Sequence, residues 1–167
     1  MFDIIEDRNE CKFEKRRESG MKRVIFHIDV NSAFLSWEAV YRLQHLGGRV
    51  DLRGEVAAVG GDMAMRHGII LAKSIPAKQY NIRTGESIVE AKQKCPHLIL
   101  VPPNYSLYEK CSKAFMEILC QYSPEVEQYS IDEAFVDMTG TENLWGDPVT
   151  AAEKIRSRIR EELGFTV

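Results

Sequence analysis

The sequence predicts an α+β fold of the ferredoxin-like, split βαβ kind: an antiparallel sheet covered by helices, with a small lobe inserted. Three observations predict it. An apolar, β-branched run at residues 23–30 is followed by a helical stretch. An amphipathic stretch at 105–122 leads into two short strand-like runs, another helix and a last β-type run. Leaving out residues 49–103, the order is therefore β-α followed by α-β-β-α-β.

Each element has a local cause. Residues Met1 to Lys22 form a charged extension in which Glu14, Lys15, Arg16, Arg17 and Glu18 sit together. Arg23-Val-Ile-Phe-His-Ile-Asp29-Val30 reads as a buried strand ending near Asp29. Asn31 and Ser32 suit the N-cap of the helix that follows; Phe34, Trp37, Val40, Tyr41 and Leu46 approximate one face of it, and Gly47-Gly48 stops it. From 49 to 85 the pattern changes to short strands at Val56–Val59 and Ile69–Ala72, separated by glycines, and reads as the inserted lobe. Ser87-x-x-Glu90 is a capping box for a helix ended by Pro96, and Leu98–Val101 is another apolar strand. In the long helix, Leu107, Cys111, Phe115, Ile118 and Tyr122 form one core-facing stripe. Val126–Ile131 and Ala134–Met138 read as two strands meeting at the acidic turn Asp132-Glu133. Asp147 and Pro148 open the last helix and Gly164 closes it. The first sheet and its helices thus take residues 23–48 and 86–167, around a lobe at 49–85.

Composition narrows the function classes. With 25 Asp and Glu against 22 Lys and Arg, the net charge is -3, so the chain is no uniformly basic nucleic-acid coat. Four cysteines without a C-x-x-C pair or a nearby histidine at zinc-ligand spacing read as reduced structural thiols. No apolar run is long enough for a membrane span and the N-terminus is charged, which makes the cytoplasm the expected compartment.

Asp29, Asp132 and Glu133 stand where strand residues should be hydrophobic. If the first strand pairs with the acidic hairpin, the three meet at one end of the sheet, where like charges repel unless a divalent cation neutralises them. Oxygen donors of this kind suit Mg²⁺ or Mn²⁺, and two such ions would stabilise an in-line phosphoryl transfer. A solvated acidic turn is the plain alternative. The helix N-terminus directly after Asp29, with free N–H groups for phosphate oxygens, favours a nucleotide site.

Ile28-Asp29-Val30-Asn31-Ser32-Ala33-Phe34, together with Ser130-Ile131-Asp132-Glu133-Ala134-Phe135-Val136-Asp137, resembles the N-terminal catalytic region of Y-family translesion DNA polymerases of the UmuC/DinB type. Ile75 to Ala91 is similar to the passage from fingers to palm in that family, so the resemblance covers residues 23–167. It implies a polymerase palm at 23–48 and 86–167, truncated at its C-terminal end, and a fingers lobe at 49–85. It implies two Mg²⁺ ions, with Mn²⁺ as substitute, held by Asp29, Asp132 and Glu133 and by the Val30 carbonyl. Phe34 matches the aromatic residue on which the sugar of the incoming nucleotide stacks and where a 2'-hydroxyl would collide. Asn31, Ser32 and Ala33 fall at the nucleotide site, and Ser130 precedes the acidic pair. Lys78 stands where the family usually has a triphosphate-binding arginine, with Lys73 nearby, and Ile75 stands where it often has a tyrosine. Primer-template DNA and deoxynucleoside triphosphates are the implied partners. A sliding clamp would be reached through a C-terminal region absent here, and the fragment alone is expected to extend primers poorly or not at all.

Two other readings remain open. Gly60-Gly61-Asp62 invites comparison with the metal hairpin of diguanylate cyclases, although Met63 and Ala64 spoil the match. A non-catalytic DNA- or partner-binding palm is the other. His27 reads as a satisfied structural histidine, Trp37 and Trp145 as packing residues, and Lys92, Lys94, Arg156, Arg158 and Arg160 as solvated helix faces.

Overall fold

A computed structural model describes residues 22–61 and 68–167. The N-terminal extension, apart from Lys22, and Asp62, Met63 and Ala64 of the glycine-rich motif lie outside the described residues. The elements are β1 (Ile25–Asp29), α1 (Ala33–His45), β2 (Ala57–Gly60), β3 (Ile70–Lys73), α2 (Ile75–Lys78), α3 (Ile88–Lys94), β4 (Ile99–Val101), α4 (Tyr105–Leu119), β5 (Val126–Gln128), β6 (Glu133–Asp137), α5 (Glu142–Trp145) and α6 (Pro148–Leu163). They build two three-stranded sheets. The first has the order β1-β6-β5 and is antiparallel throughout; in the second, β3-β2-β4, β2 runs antiparallel to β3 and parallel to β4.

Strand alternation gives the first sheet two unlike faces. Ile28, Val30, Ala134, Val136 and Val126 point into a core closed by Trp37 of α1, Tyr108 and Phe115 of α4, Ile155 and Ile159 of α6, and Phe165. His27, Asp29, Glu133 and Phe135 occupy the opposite face, which no helix among the described residues covers. This is the expected α+β arrangement. The chain end returns beside β1, where Asn31 N donates to Thr166 O at 3.0 Å.

In the second sheet, β2 is buried at all four positions, as a strand enclosed on both faces must be. Ala58 meets Ile70, Ile88 and Leu98 on one side; Ala57 and Val59 meet Leu35 and Ala39 of α1 on the other. Helix α1 thus packs against both sheets, which explains why it is buried over Leu35–Ala39.

The capping box at Ser87 and Glu90 and the Asp147, Pro148 and Gly164 signals of α6 form as expected. Two expectations change. Residues 86–103, assigned with the first sheet, pack with the second: β4 pairs with β2 through Ala58 and Leu100, and Ile88 and Leu98 enter the core under Ala58. A cap marks where a helix starts but carries no information about which sheet it covers. In α4 the expected stripe faces the core, with Phe115, Ile118 and Tyr122 buried and Leu107 and Cys111 half-buried against it, but the buried face is wider and adds Tyr108, Ser112 and Leu119 because the helix lies between α1 and α6. No helix among the described residues is long and apolar enough to cross a membrane.

Candidate active site

The register of β1 against β6 sets the geometry. Asp29, the last residue of β1, lies opposite Glu133, the first of β6, and Val30 N donates to Asp132 O at 3.0 Å. Asp29, Val30, Asp132 and Glu133 therefore meet at one end of the first sheet, with Asp29 and Glu133 on its open face. Glu133 belongs to the strand and Asp132 to the turn before it.

Hydrogen bonds hold that turn. Ser130 Oγ donates to Asp132 Oδ1 at 2.7 Å and accepts from Asp132 N at 3.3 Å. Tyr129 N and Ser130 N both donate to Glu133 O, and Gln128 Nε2 donates to Ser130 O.

The carboxylates sense one another. Partial burial, then the charges of Asp132 and Glu133, push the Asp29 carboxyl above its ordinary range, with His27 pulling the other way. His27 Nε2 lies 3.3 Å from Glu133 Oε2, and its ring stacks on Phe135 at 4.5 Å. Its side chain is 51% exposed, so it is a neighbour of the acidic cluster instead of an interior histidine. Strand period carries that signal, because residues 27 and 29 share a face.

As the side chains stand, no three Asp, Glu, His or Cys among the described residues converge closely enough to hold a metal ion. The donor set nevertheless fits a hard divalent cation: three carboxylates at one sheet end, repelling one another and backed by a neighbouring carbonyl.

Directly after Asp29 the backbone is strained. Ser32 sits at the N-cap of α1 with φ 47, ψ 51, a left-handed conformation costing about 1–3 kcal/mol for a non-glycine residue. Its side chain makes no cap hydrogen bond. Asn31 does not cap either: N and Nδ2 donate to Thr166 O and Oγ1 at 3.0 and 3.2 Å, while Ser36 Oγ donates to Asn31 O. The first turn of α1, beginning with the buried Ala33, keeps its N–H groups free of any side-chain cap. One residue on, the Phe34 ring stacks on Tyr108 at 4.5 Å and 10°. Tyr108 lies beside the stripe that the sequence predicts for α4, on a core face wider than one stripe.

Lys73 and Lys78 belong to the second sheet's lobe. Lys73 Nζ donates to Thr84 Oγ1 at 3.2 Å, and Lys78 is exposed at the end of α2, a helix capped by Ser74 Oγ accepting from Ala77 N. Ile75, at the start of that helix, is 71% exposed.

Known proteins resemble this chain in sequence and in fold. The sequence pattern of the impB/mucB/samB family matches residues 28–167. DNA polymerase IV of Clostridium acetobutylicum is 49% identical over 148 residues, covering 88% of this chain and 37% of that protein. DNA polymerase IV 1 of Bacillus subtilis is 38% identical over 144 residues, covering 86% of this chain and 33% of the other. The chain spans about a third of the length of these curated relatives. Among solved structures, DinB from Sulfolobus solfataricus superposes with a TM-score of 0.71 at 26% identity, over 85% of this chain and 40% of that one. An insertion ternary complex of Dbh DNA polymerase gives 0.71 at 25% identity, with the same coverage.

Proposed function

Because the chain belongs to the impB/mucB/samB family, we propose that it carries the catalytic core of a Y-family DNA polymerase. The reaction is template-directed addition of deoxynucleotides to a primer 3'-hydroxyl, with release of pyrophosphate, in translesion synthesis and DNA repair. The observation that carries this reading is the register that sets Asp29 opposite Glu133 with Asp132 hydrogen-bonded beside them.

Asp29, Asp132 and Glu133, with the Val30 carbonyl, would hold two Mg²⁺ ions, or Mn²⁺ in their place. When bound, such ions lower the pKa of the attacking hydroxyl and carry the developing phosphate charge. The chain's own groups do the rest. Ser130 fixes the Asp132 carboxylate and the hairpin fixes Glu133, so that little reorganisation is needed. Ser32 and Ala33 offer backbone N–H groups of the uncapped α1 terminus to the triphosphate, and Asn31, tied to Thr166, shapes that turn. Phe34 meets the sugar and excludes a 2'-hydroxyl. Lys78, assisted by Lys73, supplies positive charge from the second lobe as a point charge rather than a bidentate fork.

Primer-template DNA and deoxynucleoside triphosphates are the proposed partners, with a sliding clamp contacted outside these residues and the cytoplasm as the compartment. The test is primer extension with Mg²⁺ by the protein in its longest encoded form, comparing wild type with Asp132→Ala and Glu133→Ala. The reading expects synthesis to disappear in both variants. Undiminished synthesis contradicts the site; duplex binding without synthesis in wild type points to a non-catalytic palm; template-free conversion of GTP to a cyclic dinucleotide points to a cyclase.

A further inference from the structure

Behind Phe34 lies a carboxylate for which the reaction above has no use. Glu38 follows Phe34 by one turn of α1 and is 4% exposed. Its Oε1 accepts a hydrogen bond from the Tyr108 hydroxyl at 3.0 Å, and its Oε2 lies 3.6 Å from Arg42 Nε. The Arg42 contact is long, and Arg42 Nε itself makes no hydrogen bond. The guanidinium therefore balances the charge more than it orients the carboxylate.

Taking a carboxylate out of water costs several kcal/mol, and an apolar residue of similar volume would pack the same space without that cost. The exchange yields orientation. Tyr108 is fully buried, with Trp37 tilted against it at 5.8 Å and Tyr105 edge-on at 5.9 Å. Its hydroxyl is the one polar handle on the ring, and Glu38 pins it. Burial first, and then Glu38, push the Tyr108 phenol well above its ordinary range, which keeps it a hydrogen donor. Phe34 lies flat on the face of the Tyr108 ring, at 4.5 Å and 10°. Two aromatic planes stacked this closely move together, so a Tyr108 ring that is free to tilt leaves Phe34 without a fixed seat.

We propose that Glu38 is a positioning residue for sugar recognition: by pinning the Tyr108 hydroxyl it fixes the ring on which Phe34 rests, and so sets the discrimination between deoxyribonucleotides and ribonucleotides. This rests on the reading of Phe34 as the group that meets the sugar. Glu38 touches no substrate and acts only through Tyr108. Arg42, whose side chain is 38% exposed, is the solvent end of the same chain of contacts.

Single-nucleotide insertion kinetics on a primer-template, using the longest encoded form of the protein, test it. The nucleotides are a deoxyribonucleoside triphosphate and its ribose counterpart; the variants are Glu38→Ala, Glu38→Gln, Tyr108→Phe, Phe34→Ala and Asp132→Asn. Losing the pinning hydrogen bond should lower the deoxy-to-ribo ratio of kcat/KM about tenfold in Glu38→Ala and Tyr108→Phe. The change should fall on the KM of the ribonucleotide, and Glu38→Gln, which keeps an oxygen acceptor, should restore most of the selectivity. A merely structural role would lower kcat for both sugars alike and leave the ratio untouched.

The controls separate this inference from its premise. Full activity in Asp132→Asn contradicts the polymerase reading, and unchanged selectivity in Phe34→Ala contradicts the sugar role of Phe34; either result removes the proposal with it. If both controls behave as expected while Tyr108→Phe and Glu38→Ala keep wild-type selectivity, the proposal alone is overturned. Should Glu38→Ala fail to fold, Tyr108→Phe, which removes only an oxygen, decides the matter.

Discussion

The first sheet bears the candidate carboxylates Asp29, Asp132 and Glu133, and the second sheet's lobe bears the candidate lysines Lys73 and Lys78. Among the described residues helices cover β1 and β6 on one face only, so their other face can hold Asp29 and Glu133 without burying their charge. β2 has no such face. Enclosed by packing on both sides, it is built from Ala57, Ala58, Val59 and Gly60, and Lys73 and Lys78 sit beyond the strand centres, at the end of β3 and of α2. Charge is placed where a sheet face is left open, and shape is placed where it is closed. Substitutions in the first sheet should therefore act on chemistry, and those in the second on stability or nucleotide affinity.

The largest expected effect separates these two behaviours. Asp132→Asn and Glu133→Gln should each lower the rate of primer extension by at least about a hundredfold. Their melting temperatures should not fall, because each change removes one of three mutually repelling charges; a variant that loses activity only by unfolding breaks the contrast. In the second sheet, Ala57→Leu should destabilise by about 1–3 kcal/mol through overpacking against Leu35 and Ala39, read as a shifted urea midpoint. Gly60→Val should act similarly, because a Cβ there would already meet Leu100 Cδ1 at 3.0 Å.

Lys78 tests whether the second lobe contributes affinity. Lys78→Ala should raise the KM for the incoming nucleotide severalfold with little change in kcat, and Lys78→Arg should restore binding through its bidentate fork. The smallest effect lies where the second lobe meets the end of α6. Arg53 joins Asp51 at 2.8 Å and donates to Gly164 O at 2.7 Å. Hydrogen bonds from Arg53 hold the Asp51 carboxyl below its ordinary range. An acid whose pKa is depressed in the folded state contributes stability above its unfolded pKa and loses it as pH falls through the folded value. Asp51→Asn should therefore be less stable than wild type near neutrality, by no more than about 0.5 kcal/mol after solvent screening. The difference should vanish in strong acid, as followed by chemical unfolding at both pH values.

The same division explains what could be read from the chain. The first sheet was legible because period-two alternation and the acidic turn are local: Asp29, Asp132 and Glu133 could be singled out before any pairing was known. Their meeting depended on one long-range register, which the resemblance to a polymerase palm supplied. The boundary of the second lobe was not legible, because the parallel pairing of Leu98–Val101 with Ala57–Gly60 leaves no mark in either segment. Tyr108 was missed for a related reason. Leu107 and Tyr108 both pack on the core, in a helix covered on two sides, and a single three-to-four-residue stripe read from the sequence admits only one of them. The left-handed Ser32 was unexpected as well, since serine at an N-cap ordinarily accepts a hydrogen bond from the helix.

The central claim is that the end of the first sheet, where Asp29 and Glu133 of its open face meet Asp132 of the turn, is a divalent-cation site. Mn²⁺ titration followed by electron paramagnetic resonance, with a deoxynucleoside triphosphate present, tests it most directly. Wild type should take up Mn²⁺ beyond what the free nucleotide binds, each of Asp29→Asn, Asp132→Asn and Glu133→Gln should weaken that uptake, and the triple variant should abolish it while staying folded. Wild-type Mn²⁺ uptake in a folded triple variant would contradict the account.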